Sequence, residues 1–135
     1  MPGWGTGSFE NEDAQSFLGR LKSLRIDDLR RILARAADQD GYILAPESSI
    51  AVAAAEVVAA LVVSGDSVVS HATPQGVLDW ASKNKAPDPL DLLDLARRAV
   101  ERVRTNSELK DLWLEAEGLN EWSAALRGLE ERLRG

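Results

Sequence analysis

The chain has 135 residues, 22 acidic and 16 basic side chains, and a formal net charge of −6, which suits one globular domain with its own core. The absence of cysteine excludes disulfides and thiolate chemistry, and a single histidine, His71, excludes poly-histidine metal sites within one chain. The acidic balance argues against nucleic acid or an anionic membrane as the main partner.

Apolar residues recur at helical spacing in the first part of the chain and predict two amphipathic helices. The first helix follows Asn11, a favourable N-cap, with acidic residues in its first turn. Its apolar face consists of Ala14, Phe17, Leu18 and Leu21. The face of the second helix consists of Ile26, Leu29, Ile32, Leu33, Ala36 and Ala37. Asp27, four residues before Arg31, predicts a supporting ion pair on the second helix.

The third predicted helix is the most apolar segment and runs from about residue 46 to residue 64, with Gly65 as its stop signal. Valine, isoleucine, leucine and alanine surround its axis, so it must be covered on most sides. Its most apolar part, residues 50–63, is shorter than the ~20 residues of a membrane span and contains Glu56. We therefore expect a buried helix at the centre of the domain.

The second half of the chain begins with two helices that use a cap followed by proline. Thr73 is predicted to cap a short helix whose first residue is Pro74. Asp88 and Pro89 repeat this arrangement at the start of a long helix that ends at about Arg104.

Two further helices complete the predicted fold. Thr105 and Glu108 have the spacing of a capping box for the sixth helix, which ends at Gly118, and Asn120 is predicted to cap the seventh. The core faces of these two helices consist of Leu109, Leu112, Trp113 and Ala116, and of Trp122, Ala125, Leu126, Leu129 and Leu133. No stretch alternates with period two over a useful length. The sequence predicts an all-α, single-domain bundle of about seven helices around the central apolar helix, with residues 1–10 as a glycine-rich loop packed on the core.

The opening Trp-Gly-Thr-Gly-Ser-Phe-Glu-Asn-Glu-Asp-Ala at residues 4–14, followed by Phe17 and Leu18, resembles the signature of a bacterial family, domain of unknown function 4259. The resemblance extends to residues 53–61, residues 95–100, Ser107 with Glu108 and Leu109, Leu112 with Trp113, and Trp122 with Leu126. It implies a small, mostly helical bacterial domain. The family carries no established activity, so the resemblance implies no catalytic or binding role for any residue.

The glycines of the amino-terminal loop have two interpretations. A phosphate cradle needs a preceding strand and a lysine–hydroxyl pair, which the sequence does not have, and Glu10 would repel phosphate. The favoured interpretation is a tight loop that folds Trp4 and Phe9 back onto the core; a binding loop for an unidentified ligand, with Trp4, Glu10 and Asp13, is the alternative.

The segment from Asp38 to Glu47 partly matches a calcium-binding EF-hand loop. With Gly41 at the sixth place, Asp38, Asp40 and Glu47 fall at places three, five and twelve. Place one would be Ala36, which supplies no oxygen ligand. The favoured interpretation is a helix end followed by a turn, with Gly41 in the left-handed conformation and solvated acids.

Glu56 lies in the most apolar helix, where an ionised carboxylate must be paired, hydrogen-bonded or protonated. The structural interpretation makes it an acceptor for the amino-terminal loop, for an indole N–H, or for an arginine such as Arg25 or Arg97. The functional interpretation is an acid, base or metal ligand at the floor of a pocket. Structural use is favoured because no partner catalytic group is evident.

These observations favour a protein–protein interaction module, of an inhibitor or immunity type, with no catalysis of its own. The alternative is a carboxylate-based enzyme or divalent-metal-binding protein centred on Glu56, with Glu10, Asp13 and Glu47 as further carboxylates. We expect another protein or a second copy of the chain as partner, and no cofactor. Because no signal peptide is visible, we expect a cytoplasmic location.

Overall fold

The computed structural model describes residue 9 and residues 11–39, 41–62, 74–84 and 88–134. The helices in this part of the chain are α1 (Glu12–Arg20), α2 (Ile26–Asp38), α3 (Ala45–Val62), α4 (Gln75–Lys83), α5 (Pro89–Thr105), α6 (Glu108–Glu115) and α7 (Leu119–Arg132). A 3-10 turn, Leu21–Ser23, follows α1. Within the described ranges there is no strand, although an isolated parallel bridge joins Ile43 to Ser107. The predicted all-α bundle is confirmed.

Helix α3 occupies the centre of the bundle, as its composition predicted. Every side chain from Ala51 to Ala59 is buried, including Glu56, and α3 packs against each of the other six helices. By length and composition α3 could cross a membrane, but 61% of its 18 residues are buried within the protein, as in the core helices of soluble proteins. Its predicted last residues and the stop signal at Gly65 lie outside the described part of the chain.

Helix α1 begins and packs as predicted. The Asn11 side chain accepts a hydrogen bond from the Ala14 backbone N–H at 2.8 Å. Phe17 is fully buried, and Phe9, just before the helix, is buried with its carbonyl bonded to the Gln15 side chain at 2.6 Å. The rest of the predicted amino-terminal loop, with Trp4 and Glu10, lies outside the described residues.

The sequence placed the start of α6 on the wrong residue. Thr105 is the last residue of α5, where its hydroxyl donates to the Glu101 carbonyl at 2.8 Å. Ser107 has the extended backbone of an N-cap and accepts from the Lys110 N–H at 3.1 Å. Its hydroxyl also donates to the Val103 carbonyl at 2.6 Å, which anchors the corner between α5 and α6. A buried serine two residues further on therefore replaces the predicted threonine cap.

Three smaller details also differ from the sequence prediction. Pro74 is the N-cap of α4 and not its first residue, and Thr73 lies outside the described residues. Helix α7 begins after Gly118 and not after Asn120. Arg31 pairs with Asp28 at 2.6 Å, three residues away, instead of with Asp27.

The tryptophans of the described residues lie in the core, as predicted for Trp113 and Trp122. Trp80, Trp113 and Trp122 are all buried. The indole N–H of Trp80 donates to the Leu24 carbonyl at 3.0 Å and ties α4 to the loop that precedes α2. On α7 the predicted inner face is buried apart from Ala125, which is exposed.

Candidate functional site

Glu56 has a partner inside the bundle. Its side chain is only 8% exposed, and both carboxylate oxygens bond the guanidinium of Arg132, with an Nη1–Oε2 distance of 3.4 Å. The partner is an arginine, as one interpretation proposed, but it comes from the end of α7. Of the two arginines suggested by the sequence, Arg97 pairs with Asp94 at 2.7 Å, and Arg25 uses its backbone N–H on Asp28.

A second buried carboxylate, Glu130, was missed by the sequence analysis. Its oxygens bond Arg104 at 2.7 Å and 3.3 Å, and this hydrogen bonding raises the pKa of the Arg104 guanidinium. The available signal was its spacing, since Glu130 lies four residues after Leu126 on the apolar face of α7. Both buried acids therefore connect α7 to the rest of the bundle.

The other predicted carboxylates do not form a recognisable metal site. Asp13 lies in the first turn of α1, Asp38 pairs with Arg98 at 3.3 Å, and Glu10 and Asp40 lie outside the described residues. Across the described part of the chain, no three histidine, aspartate or glutamate side chains are close enough to hold a metal ion. Binding roles for Glu56, Trp4, Glu10 and Asp13, and a cation at Asp38, Asp40 and Glu47, remain predictions.

The segment from Gly41 to Leu44 is held to the bundle by several hydrogen bonds. Gly41 has a φ of +89°, the left-handed conformation that the turn interpretation required. Its carbonyl accepts from the Arg102 guanidinium. The carbonyl of Tyr42 accepts from the Gln39 side chain at 3.0 Å, and that of Ile43 accepts from the Glu108 N–H at 2.8 Å.

Exposed and buried side chains alternate along this segment. Ile43 is fully buried, whereas Tyr42 and Leu44 on either side of it are 47% and 51% exposed. Ile43 is bridged to Ser107, and Tyr42 and Leu44 on either side of it reach solvent. Two large side chains are thus exposed on a segment whose backbone carbonyls are hydrogen-bonded to the rest of the bundle.

Carboxylates of α6 lie beside Tyr42. The Tyr42 hydroxyl donates to Asp111, and Glu108 accepts from the Ala45 N–H at 2.8 Å. This hydrogen bond to Asp111, with the negative charges of Asp111, Glu108 and Glu115, raises the pKa of Tyr42 from 10.0 to about 12. We call the group formed by Tyr42, Leu44, Glu108, Asp111 and Glu115 the Tyr42 surface.

A groove of about 510 Å³ lies where α1, α2 and α3 meet. We call it the arginine groove; it is lined by Arg20, Leu24, Asp28, Arg31, Ile32, Arg35, Ala36, Glu47 and Ile50. Three guanidinium groups and two carboxylates therefore surround a floor of aliphatic side chains. The groove has the mixed apolar and polar lining that is typical of ligand sites.

The sequence from residue 3 to residue 125 matches the family described as Domain of unknown function (DUF4259). The chain belongs to this family. The match covers most of the helical bundle and confirms the resemblance seen in the sequence. No curated protein and no solved structure matches the chain.

Neither surface of this DUF4259 member was identified by sequence reasoning. The acids around Gly41 were predicted to be solvated or cation-binding, whereas the large exposed side chains of this segment are Tyr42 and Leu44. An aromatic residue beside a glycine turn was the available signal. The arginine groove had no local signal, because its walls come from three separate helices.

Proposed function

We propose that the protein is an acidic interaction module that binds another protein through the Tyr42 surface and has no catalysis of its own. The observation that carries this proposal is the outward, tethered placement of Tyr42 and Leu44. Tyrosine is enriched among the residues that dominate protein interfaces, because its ring buries a large area at a small entropic cost.

Rigidity of the segment favours binding. Hydrogen bonds from Arg102, Gln39 and Glu108 hold its backbone, and Asp111 holds the Tyr42 hydroxyl. Side chains and loops that are ordered before association lose less entropy when a partner arrives. A partner could therefore use these side chains without remodelling the turn.

Charge defines the chemistry of the partner. Glu108, Asp111 and Glu115 lie close enough to Tyr42 to raise the pKa of its hydroxyl, in a chain whose net charge is −6. A complementary partner surface carries lysine or arginine around an apolar pocket that accepts the Tyr42 ring. An inhibitor or immunity-type protein that blocks a basic site on its target is one form of such a module.

The alternative of a carboxylate enzyme or metal-binding protein centred on Glu56 has less support. Both oxygens of Glu56 bond Arg132, so that an acid, base or ligand role would first require this ion pair to break. The structure offers a structural explanation for the burial of Glu56, and the Tyr42 surface needs no such rearrangement.

The proposal is tested by affinity capture from the native host with the wild-type protein, Tyr42→Ala and Leu90→Ala. Leu90 is the matched control, because it is an exposed apolar residue outside the Tyr42 surface, at the start of α5. A captured partner is then titrated against each variant by calorimetry at low and high salt.

We expect Tyr42→Ala to weaken binding by about tenfold or more, Leu90→Ala to leave it unchanged, and salt to weaken it further. Equal affinity of the wild-type protein and Tyr42→Ala would contradict the proposal, and so would the absence of any specifically captured protein.

A further inference from the structure

The arginine groove contains charged groups that have no partner within the described residues. Asp28 is already paired, since it accepts from Arg31 at 2.6 Å and from the Arg25 backbone N–H at 2.8 Å. By contrast, Arg20, Arg35 and Glu47 form no ion pair or side-chain hydrogen bond with any residue that the structure describes. Two guanidinium groups and one carboxylate therefore line the same groove, exposed to solvent and without a protein partner among the described residues.

The floor of the groove is apolar. Ile32 and Ile50 are half-buried side chains that pack on the core, with Leu24 and Ala36 beside them. These side chains are held by the packing of α2 on α3 and do not need to move to expose an apolar surface. A ligand lying on this floor would be in the same groove as the positive side chains of Arg20 and Arg35 and the negative side chain of Glu47.

The volume of about 510 Å³ limits the size of the ligand. It falls within the ~300–1,000 Å³ range of small-molecule pockets. A single free amino acid would leave much of this space unfilled, whereas a dipeptide with two apolar side chains would use more of the floor.

We propose that the arginine groove binds a zwitterionic ligand with an apolar body, of the size and chemistry of an apolar dipeptide. Its carboxylate bonds the guanidinium groups of Arg20 and Arg35, which match a carboxylate through paired N–H donors. Its ammonium group bonds the Glu47 carboxylate, and its side chains lie on Ile32 and Ile50. The site uses no residue of the Tyr42 surface, so it is independent of the proposed protein-binding function.

A simple anion is a poorer match. Glu47 lines the groove and would repel an anion that had no compensating positive group. A simple cation would meet the opposite problem at Arg20, Arg31 and Arg35. A zwitterion can satisfy Arg20, Arg35 and Glu47 together.

The test is a calorimetric or NMR titration of the full chain with L-leucyl-L-leucine, its N-acetyl derivative and its C-terminal amide. The variants are Arg35→Gln and Glu47→Gln, with Arg20→Gln as a second guanidinium variant. Arg127→Gln and Glu131→Gln are the matched controls, since both residues are exposed on α7 and outside the groove. Thermal melting of each variant confirms that it is folded.

We expect saturable binding to the wild-type protein and to both controls, and about tenfold weaker binding to Arg35→Gln and Glu47→Gln. Acetylation of the ligand should weaken binding to the wild-type protein but cause no further loss in Glu47→Gln. Amidation should also weaken binding to the wild-type protein, and it should cause a smaller loss in Arg35→Gln, where only Arg20 is left to bond the carboxylate.

Two results would overturn this proposal. One is the absence of saturable binding of the dipeptide up to its solubility limit. The other is stronger binding of the acetylated ligand to Glu47→Gln than of the dipeptide to the wild-type protein, which would show a site for plain anions. Neither result depends on the Tyr42 surface, so the two proposals can fail separately.

Discussion

Glu56 and Arg132 form an ion pair that joins the middle of α3 to the last turn of α7 across 76 residues of sequence. The pair explains how the most apolar helix of the chain accommodates a carboxylate. Because Glu130 and Arg104 form a second pair between α7 and α5, the carboxyl-terminal helix is held by two buried acids as well as by its apolar face.

The first prediction concerns the unequal exposure of the two partners. The side chain of Glu56 is 8% exposed and that of Arg132 is 27% exposed. Replacing Arg132 leaves a buried negative charge, so we expect Arg132→Met to lower the free energy of unfolding by about 3 kcal/mol. Replacing Glu56 leaves a guanidinium that can reach water, so we expect Glu56→Gln to cost about 1 kcal/mol. Chemical denaturation measures both values.

Arg134→Met is the control, because Arg134 is exposed and close to Arg132 in sequence. The double variant Glu56→Gln/Arg132→Met should be more stable than Arg132→Met alone, since it removes the uncompensated charge. If the two single variants lower the free energy of unfolding equally, the main role of Arg132 is not to compensate the buried charge of Glu56.

The second prediction compares two glycines. A Cβ at Gly118 would lie 2.7 Å from Cε3 of the buried Trp113 ring, whereas a Cβ at Gly128 would meet nothing within 4 Å. We expect Gly118→Ala to destabilise the protein by about 1–3 kcal/mol through overpacking. We expect Gly128→Ala, inside α7, to stabilise it by about 0.5–1 kcal/mol. Thermal and chemical unfolding give the sign in each case, and a Gly118→Ala variant as stable as the wild-type protein would contradict the close approach to Trp113.

The third prediction separates the observed cap of α6 from the one that the sequence suggested. Ser107 is buried and makes hydrogen bonds in both directions, to the Lys110 N–H and the Val103 carbonyl. We expect Ser107→Ala to cost about 1–2 kcal/mol. Thr105 is exposed and its hydroxyl bonds only carbonyls of its own helix, so Thr105→Ala should change stability by less than about 0.5 kcal/mol. A larger loss of stability in Thr105→Ala than in Ser107→Ala would indicate that Thr105 is the cap after all.

The fourth prediction concerns the ionisation of Tyr42, the only tyrosine in the chain. Its phenolate absorbance can therefore be followed without overlap from another tyrosine, and we expect the pKa to be about 12 because the hydroxyl donates to Asp111. In Asp111→Ala the pKa should fall towards its usual 10.0, whereas Glu121→Ala, on α7, should leave it unchanged.

The sign of the accompanying change in stability follows from the same shift. The folded pKa is raised above the unfolded value, so the hydrogen bond contributes fully to stability below pH 10.0 and is lost as the pH rises through about 12. Unfolding measured at rising pH should show this loss in the wild-type protein and a smaller loss in Asp111→Ala. An ordinary pKa for Tyr42 in the wild-type protein would contradict the hydrogen bond.

Local patterns were sufficient for the helices and for much of the core. The spacing of Ala14, Phe17 and Leu21 determines which face of α1 is buried, because helical periodicity brings these positions to one side. The composition of residues 50–59 likewise requires α3 to be covered on all sides, and every side chain from Ala51 to Ala59 is buried. Helix formation and the position of an apolar face depend on residues within a few helical turns of one another.

Helix ends were less certain, since several residues near each end can act as the cap. Thr105 and Ser107 both precede α6 and both have a suitable hydroxyl. Packing of the corner between α5 and α6 buries Ser107 and leaves Thr105 exposed. Ser107 is the cap because it is buried at this corner. The spacing of residues in the sequence does not reveal which of the two hydroxyls is buried.

The sequence by itself determined the helical class, the central helix and the need for Glu56 to find a compensating partner. Only the tertiary structure decided that the partner is Arg132, that Tyr42 and Leu44 face solvent beside α6, and that Arg20, Arg35 and Glu47 line one groove. The physical reason is range: helix formation and amphipathicity act between residues three or four positions apart, whereas ion pairs and grooves join residues that only the packing of whole helices brings together.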